Sequence, residues 1–364
     1  ARAAGRATPE GGYPGAYVDD LAATALAERP DLLELPADEA LATARAIGYE
    51  AQLADIRSTL EDFGVIFDVW FSERTLHDGG AVEQAITRLR EQGHVDDRDG
   101  AVWLRTTDFG DDKDRVLVRA DGVPTYFAAD AAYYLSKKDR GFPEKIYLLG
   151  ADHHGYVARL KAIAACAGDD PTKNIEIRIG QLVNLDGAKL SKRAGSYVTL
   201  RDLIEWTSKD AVRFFLISRK ADTEFTFDVD LALKQNDENP VFYVQYAHAR
   251  IHSVRAQYAE KGGDLIQVPQ ANLALLTADT ELSLLTKLAE FPGMLTLAAQ
   301  SLAPHDVAFY LRDLASAFHS YYAAERFLVD DVELSRARVA LLTATAQVLR
   351  NGLSLLGVSA PEKM

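Results

Sequence analysis

The sequence predicts an α/β domain followed by an all-α helical bundle. Residues 145–217 alternate between short apolar runs and helical patterns in the order strand, helix, strand, loop, helix. That order is typical of a βαβ unit with parallel strands. From residue 239 onwards, apolar residues recur at helical spacing without a convincing strand pattern. We therefore place a boundary in the polar stretch "KQNDENP", which gives predicted domains at 1–238 and 239–364.

Composition restricts the class of protein. The chain has 364 residues, a formal net charge of -14 and the single cysteine Cys166. One cysteine excludes an intrachain disulfide and a Cys-based zinc site, and we predict no protein-bound metal and a reducing, cytoplasmic setting. No apolar run approaches the length of a membrane span. The acidic balance argues against nonspecific nucleic-acid binding through the net field, but it leaves room for a local basic groove. The first residues hold neither Met nor an apolar leader, as expected of a fragment or a processed chain.

The first third of the chain alternates helix and strand patterns. Helical spacing over 17–63, broken at two prolines, predicts helices. The stretch "VIFDVWFSE", 65–73, predicts a strand, and "AVEQAITRLREQG" predicts a helix. The runs "AVWLRT" and "RVLVRA", joined by an acidic turn, predict an antiparallel hairpin or a small meander.

The βαβ pattern follows. A helix is expected after Pro124, which suits a first helical turn, and then a strand over "EKIYLLGAD". A helix over 155–168 separates this strand from a second one, "IEIRIGQLVNL". Thr199 is a candidate helix start signal after the next loop. Ligands of parallel sheets bind beyond the carboxyl ends of the strands, and both "GADHH" and "KLSKR" fall there.

The loop "AKLSKRAGS" concentrates positive charge. Lys189, Lys192 and Arg193 lie within five positions, among small residues. Lysines on such a loop suit a triphosphate, and the Ser191 hydroxyl adds a further contact. A solvated surface turn is the alternative, because most short basic runs are only that. The strand before the loop and the helix after it favour a phosphate-binding role.

These residues resemble a known family. "KLSKR" is similar to the KMSKS signature of class I aminoacyl-tRNA synthetases, with Leu190 and Arg193 at the variant places. With "VWFSE", "PTYFAADAAYYLSKK", "YLLGADHHGYVARLKA" and "NPVFYVQYAHARI", it resembles bacterial-type arginyl-tRNA synthetases nearly end to end. The resemblance implies the second half of a Rossmann-like nucleotide-binding domain and an anticodon-binding bundle. The family's HIGH motif is missing, since no His-x-Gly-His occurs and "DHHGY" has the wrong spacing.

The resemblance implies how ATP, as its Mg²⁺ complex, is bound. Lys189, Ser191 and Lys192 correspond to contacts with the ATP phosphates, and Lys192 is expected to stabilise the transition state by position and charge. Gly180 and Val183 resemble the stretch that contacts adenine. Ordinary strand packing is the alternative for both, and for Val183 the two interpretations stay open.

The resemblance also implies an arginine site. "YFAAD" places Tyr126 and Asp130 four residues apart, on one helix face. A carboxylate can pair with the planar guanidinium while the phenol supports it. A chance Tyr/Asp pair on a half-exposed helix is the alternative. His153 matches a polar position near the amino-acid end of the substrate, although local hydrogen bonding explains it equally well.

For the helical domain the resemblance implies anticodon recognition, which uses stacking on aromatics and hydrogen bonds to base edges. Tyr246 and Arg250 lie four apart, and Tyr322 and the terminal Met364 resemble residues that line the base pocket. A frayed end is the alternative for Met364, and core packing is the expectation for Tyr243.

Three functions remain open at this point. The first is arginine–tRNA ligase, with tRNA(Arg), L-arginine and ATP as partners, in a monomeric protein; without the HIGH half this chain is expected to be inactive alone. The second is a noncatalytic tRNA- or RNA-binding module. The third, another nucleotidyltransferase with an α/β core, shares the lysine loop but does not predict the aromatic helical tail.

Overall fold

The computed structural model describes residues 1–13, 15–187 and 198–364. These form two compact units. One contains 1–68 with the described residues of 197–209, and the other contains the described residues of 69–196 with 210–364. Each unit is described by itself below.

The first unit consists of helices. They are α1, Tyr17–Glu28; α2, Ala37–Phe63; and α7, Leu200–Trp206. The predicted start signal at Thr199 is confirmed, because its side chain accepts from the Asp202 amide while the Asp202 side chain accepts from the Thr199 amide, which is a capping box. Arg201 ties α7 to α2 by donating to Asp55 at 3.0 Å.

The second unit begins with the α/β part, in which short helices and strands alternate. Its elements are α3, Arg74–Asp78; α4, Ala81–Glu91; β1, Val95–Arg98; β2, Ala101–Leu104; β3, Arg115–Val118; α5, Tyr126–Asp139; β4, Lys145–Gly150; α6, Val157–Cys166; β5, Ile175–Gly180; β6, Val183–Asp186; α8, Lys209–Ile217; β7, Phe225–Asp228; and α9, Val229–Ala232.

Its strands form three small sheets. The antiparallel sheet has the order β1-β2-β3, which is a small meander. The predicted antiparallel pairing of β2 with β3 is confirmed, and β1 is an additional strand. β4 and β5 pair in parallel, from Lys145 opposite Ile175 to Gly150 opposite Gly180, with α6 between them in the chain. This confirms the predicted βαβ unit. β6 pairs with β7, also in parallel.

One apolar core holds α3–α6 and β1–β5 together. α5 contributes small residues and the fully buried Tyr134, while α6 contributes Ile163. Asp169 fixes this core at its edge, because it accepts from Tyr134 at 2.7 Å and from the buried Lys145 at 2.9 Å. These contacts hold the C-terminal half of α5 beside the amino end of β4.

The remainder of the second unit is a bundle of four long helices: α10, Pro240–Glu260; α11, Asp279–Gln300; α12, Pro304–Ala324; and α13, Val332–Leu355. Asn239 caps α10, and Pro240 occupies its first turn. At Gly352 of α13, an added Cβ would lie 2.5 Å from Leu311 Cδ2. The glycine therefore permits the close approach of α12 and α13.

Several predictions of local structure were wrong. Residues 65–73 contain no strand, and Ile66 and Phe67 are exposed, 78% and 52% respectively. The apolar run predicts a strand, but in the described part of the chain no other strand pairs with it. The run "IEIRIGQLVNL" forms two strands in different sheets, broken where the Gln181 amide donates to Ala221. Pro124 precedes the helix, whose N-cap is Thr125.

The predicted order along the chain, an α/β domain followed by an all-α bundle, is confirmed. The boundary between 1–238 and 239–364 stays a prediction. In the described ranges, no helix is long and apolar enough to cross a membrane.

Candidate functional site

The carboxyl end of β4 leads directly into the first candidate site. After Gly150 the chain forms a 3-10 turn, Ala151–Tyr156, and then enters α6. His153 lies on this turn, and its Nε2 is 3.6 Å from an Asp152 carboxylate oxygen. Its ring meets Tyr156 edge-on at 5.4 Å. Local partners therefore hold the imidazole at the end of the strand.

Asp130 is the half-buried carboxylate of the site. Burial raises its pKa above the ordinary value, and the negative charge of Glu73 raises it further. Lys137, His153 and Arg159 act on the Asp130 pKa in the opposite direction. His153 is thus close enough to Asp130 to influence its ionisation. This proximity is necessary if both residues belong to one site.

Tyr126 is the most exposed of the three predicted arginine-binding residues. It is the first residue of α5, one turn before Asp130, and its side chain is 85% exposed. An exposed phenol on the same helix face is free to contact a ligand held by the carboxylate.

The predicted nucleotide-contacting residues lie at the neighbouring strand ends. Gly180 ends β5 beside Gly150, and an added Cβ there would be 3.7 Å from the Leu149 oxygen. That is an ordinary contact, so the protein itself does not require glycine at this place. Val183 begins β6 and is 47% exposed, which leaves its side chain accessible to a ligand. Lys189, Ser191 and Lys192 lie outside the described residues.

The second candidate site is an aromatic cluster on α10 and α12 of the bundle. Its members, called the aromatic cluster below, are Phe242, Tyr243, Tyr246, His319 and Tyr322. The Tyr246 ring stacks with Phe242 at 5.7 Å and with His319 at 6.1 Å. It remains 38% exposed. A half-open aromatic face of this kind suits stacking of an unpaired base.

Arg250 joins the two helices of the aromatic cluster. Its guanidinium lies 3.9 Å from the Tyr322 ring centroid and 5.0 Å from that of Tyr246. Burial lowers the pKa of His319, and the Arg250 charge lowers it further. Arg250 therefore places a positive charge at this surface, and His319 contributes a ring whose neutral form is favoured by burial. The structure brings Tyr246, Arg250 and Tyr322 together.

Met364 ends a tail that is fastened to α10. The buried His248 contacts the Pro361 oxygen through Nδ1 at 2.8 Å, and Gln245 donates to the Ser359 oxygen at 3.0 Å. Met364 itself is 55% exposed. Gln245 and His248 lie on a different face of α10 from Tyr246, so the role of Met364 in the base pocket stays a prediction.

Sequence reasoning missed two residues of these sites. Glu73, whose charge acts on Asp130, was placed inside the wrongly predicted strand. Phe242, which stacks on Tyr246, sits four residues before it. The spacing of Phe242 and Tyr246 could have indicated that pair, whereas nothing in the spacing of Glu73 and Asp130 indicates that the two meet.

Two family models match the chain. The one described as tRNA synthetases class I (R), catalytic domain, matches residues 40–234. The DALR anticodon binding domain matches residues 244–364. The first of these covers more than half of the chain.

The curated relatives agree with these matches. The chain is 58% identical to an arginine–tRNA ligase of Paenarthrobacter aurescens, over 99% of this chain and 66% of the relative. It is 57% identical to one of Micrococcus luteus, over 100% of this chain and 66% of that protein. The chain therefore spans about two thirds of the length of these relatives.

Solved structures show the same architecture. A crystal structure of an arginyl-tRNA synthetase from Campylobacter jejuni is 31% identical, with a TM-score of 0.87, and covers 99% of this chain and 78% of its own. The Thermus thermophilus arginyl-tRNA synthetase is 21% identical, with a TM-score of 0.72, and shares the fold. The match covers 95% of this chain and 70% of the Thermus chain. By the catalytic-domain match and the Campylobacter relative, the chain belongs to the class I arginyl-tRNA synthetase family.

Proposed function

We propose that this chain serves arginine–tRNA ligation, in which ATP activates arginine to arginyl-adenylate and arginine is then transferred to tRNA(Arg). The observation that carries the proposal is the presence, in one chain, of matches to the class I (R) catalytic domain and to an anticodon-binding domain. A noncatalytic RNA-binding module is the alternative. It predicts that the bundle binds tRNA while the Asp130 site does not bind arginine.

The arginine site is centred on Asp130. Guanidinium is a planar fork of donors that stays protonated, so its best partner is a carboxylate. Asp130 offers one in a half-buried place, and Glu73 supplies a second negative charge close by. Tyr126 can add a hydroxyl from the same helix face, and His153 can contact the amino-acid end.

The ATP site combines the strand ends with the lysine loop. Gly180 and Val183 face the base, while Lys189, Ser191 and Lys192 contact the phosphates of the Mg²⁺ complex. For the three loop residues the support is the KMSKS-like sequence alone. Lys192 would stabilise charge that develops on the phosphate during attack by the arginine carboxylate. In this proposal Mg²⁺ enters the site with ATP, as part of the substrate complex.

The aromatic cluster would hold the anticodon. Bases of a single-stranded loop stack on Tyr246 and Tyr322, and Arg250 offers planar donors to base edges or phosphate. Met364, at the end of the tail, would reach the same pocket. We further propose that the protein is a monomer of the cytoplasm that does not act at a membrane.

The RNA arm of the test measures binding of labelled tRNA(Arg) to this 364-residue chain by fluorescence anisotropy. Tyr322→Ala should weaken binding about tenfold, since stacking of a base on an aromatic ring contributes about 1–3 kcal/mol. Phe309→Ala, an exposed aromatic of the same helix, is the matched control and should change little. Equal affinity of the Tyr322 variant and the unchanged chain would remove Tyr322 from the site.

The arginine arm uses calorimetry with L-arginine and with its neutral analogue citrulline. The chain should bind arginine but not citrulline, and Asp130→Asn should abolish arginine binding. tRNA binding without arginine binding would favour the noncatalytic module. We also expect no ATP–pyrophosphate exchange by this chain alone, because it contains no His-x-Gly-His; robust exchange would contradict that expectation.

A further inference from the structure

Lys137 occupies an unusual place for a charged residue. Its ammonium lies 3.5 Å from the ring centroid of Tyr133 and 4.0 Å from that of Tyr147. No ion pair joins Lys137 to a carboxylate in the described part of the chain. Two aromatic faces therefore provide most of the stabilisation of this cation.

The neighbouring Lys138 provides a comparison, because its ammonium has a structural role in the same helix. Lys138 pairs with Asp169 at 2.7 Å and donates to the Ala167 oxygen at 2.6 Å. Those contacts fasten α5 to the end of α6. Lys137, on a different face, holds no such partner, so a purely structural role leaves its charge unexplained.

The direction of the Lys137 side chain points to Asp130. Side chains of an α-helix lean towards its N-terminus, and the Lys137 ammonium accordingly lies over the ring of Tyr133, four residues earlier. Tyr133 is only three residues, about 5 Å along the axis, from Asp130. The ammonium thus reaches back towards the carboxylate along α5.

The charges around Asp130 show why this cation matters. Glu73, from the segment before α3, opposes ionisation of Asp130, as burial does. Lys137 is the foremost of the groups that favour ionisation, ahead of His153 on the turn after β4 and Arg159 on α6. Tyr147, from β4, faces the same carboxylate. Burial lowers the pKa of Lys137 to about 8, and the positive charges of Arg140 and Lys145 act in the same direction. The Asp130 charge acts to raise it, so the Asp130 and Lys137 side chains interact electrostatically.

We propose that Lys137 is a positioning residue of the arginine site, whose ammonium, held over Tyr133 and Tyr147, keeps the Asp130 carboxylate ionised for a cationic substrate. This rests on the proposed function of Asp130. A cation beside a cation-binding site is reasonable here because Glu73 adds a second negative charge that acts on Asp130. Below about pH 8 Lys137 balances one of these charges before substrate binds, and the incoming guanidinium balances the other.

The first measurement follows ionisation of Asp130 and needs no ligand. Aspartate carboxyl groups of the 364-residue chain are labelled with ¹³C, and the Asp130 signal is assigned as the one lost in Asp130→Asn. Lys137→Met should move the Asp130 titration midpoint upward by about one pH unit, because a nearby opposite charge shifts a carboxyl group by that order. Lys137→Arg, which retains the charge, should restore the midpoint.

The second measurement is the pH dependence of arginine affinity by calorimetry. Removal of the Lys137 charge should weaken binding by up to about tenfold at pH values below the Asp130 titration midpoint, and progressively less at higher pH, where Asp130 is ionised in any case. Lys137→Arg should follow the unchanged chain. The matched control Lys138→Met should reduce stability and leave both pH curves in place.

The outcomes separate the two proposals. An Asp130 titration that is the same with and without the Lys137 charge overturns the role of Lys137, whether or not arginine binds. An equal displacement of that titration in Lys138→Met overturns it as well. Absence of arginine binding by the unchanged chain counts against the proposed function of Asp130, while the carboxyl titration still tests Lys137.

Discussion

The long helices of the bundle and the parallel strands β4 and β5 differ in how their apolar residues are covered, although the α/β part also has a buried core. In the bundle, Leu311 and Phe318 are fully buried. In the α/β part, Leu148 on β4 is 78% exposed and Leu182, just before β6, is 74% exposed. The difference follows from the elements themselves, because helices satisfy their backbone hydrogen bonds internally whereas strands depend on neighbouring strands.

The open face of the parallel pair shows the same principle. One face of β4, with Tyr147 and Leu149, packs on the core, while the other presents Ile146 and Leu148. Parallel sheets in proteins are normally covered on both faces. We therefore expect substitutions in the bundle to have large effects on stability and substitutions on the open β4 face to have small ones.

The largest effect is expected from Arg338→Met. Arg338 donates to the buried Glu281 at 2.8 Å and to Glu325 at 3.0 Å, which links α13 to α11 and to the end of α12. Loss of the guanidinium leaves Glu281 buried without its cation, at a cost of about 3–5 kcal/mol. Hydrogen exchange of peptides from α11–α13 would measure the loss.

The double variant Glu281→Leu with Arg338→Met is the control for that prediction. Removing both charges should recover most of the stability, since an apolar pair can replace a buried ion pair at little cost. Full protection in the single variant would show that the ion pair does not hold the bundle.

A matched pair of leucines tests the comparison directly. Leu311→Ala in the bundle should cost about 2–5 kcal/mol, because the buried side chain leaves a cavity against α13. Leu148→Ala on the open face should cost less than about 0.5 kcal/mol. Local hydrogen exchange in each region is the measurement. Similar losses in both variants would mean that the β4 face is covered in solution.

The comparison also explains what the sequence could predict. The βαβ unit was predictable because "EKIYLLGAD" is a continuous apolar run followed by a helical pattern. Helix α10 was predictable from Asn239 and Pro240, whose capping chemistry is local. Strands β1 and β7 were missed because short strands depend on partners distant in the chain, and "VDDR" has no apolar pattern. The false strand at 65–73 is the converse case, an apolar run without a partner.

The candidate sites divide in the same way. Tyr246 and Arg250 share one helix face, so their spacing indicated the pair. Tyr322 lies on another helix, and only resemblance placed it in the site before the structure showed the Arg250 contact at 3.9 Å. The influence of Glu73 on Asp130 and the stacking of Lys137 on Tyr147 depend on tertiary packing, which no local pattern encodes.

Asp169→Asn tests a charge that holds the α/β part together. Burial opposes ionisation of Asp169, but hydrogen bonds from Lys138, Tyr134 and Lys145 lower its pKa to about 2. Because the folded-state pKa is depressed, the stabilisation is present above the unfolded value of about 3.9 and is lost as the pH falls towards 2. The variant should lose about 2 kcal/mol at pH 7 and less at pH 3, measured by exchange of α5 and α6. A loss of equal size at both pH values would contradict this role.

Asp130→Asn should have the smallest effect and the opposite sign. Burial and Glu73 raise the pKa of Asp130, so folding favours its neutral form. That contribution is complete below the unfolded value of about 3.9 and is lost as the pH rises through the folded value. Asparagine has no charge to bury, and the variant should therefore be slightly more stable than the unchanged chain at pH 7 and no more stable at pH 4. Thermal unfolding at the two pH values measures this, and destabilisation at pH 7 would show that Asp130 holds the fold together, as Asp169 does, and is not a charge kept for a ligand.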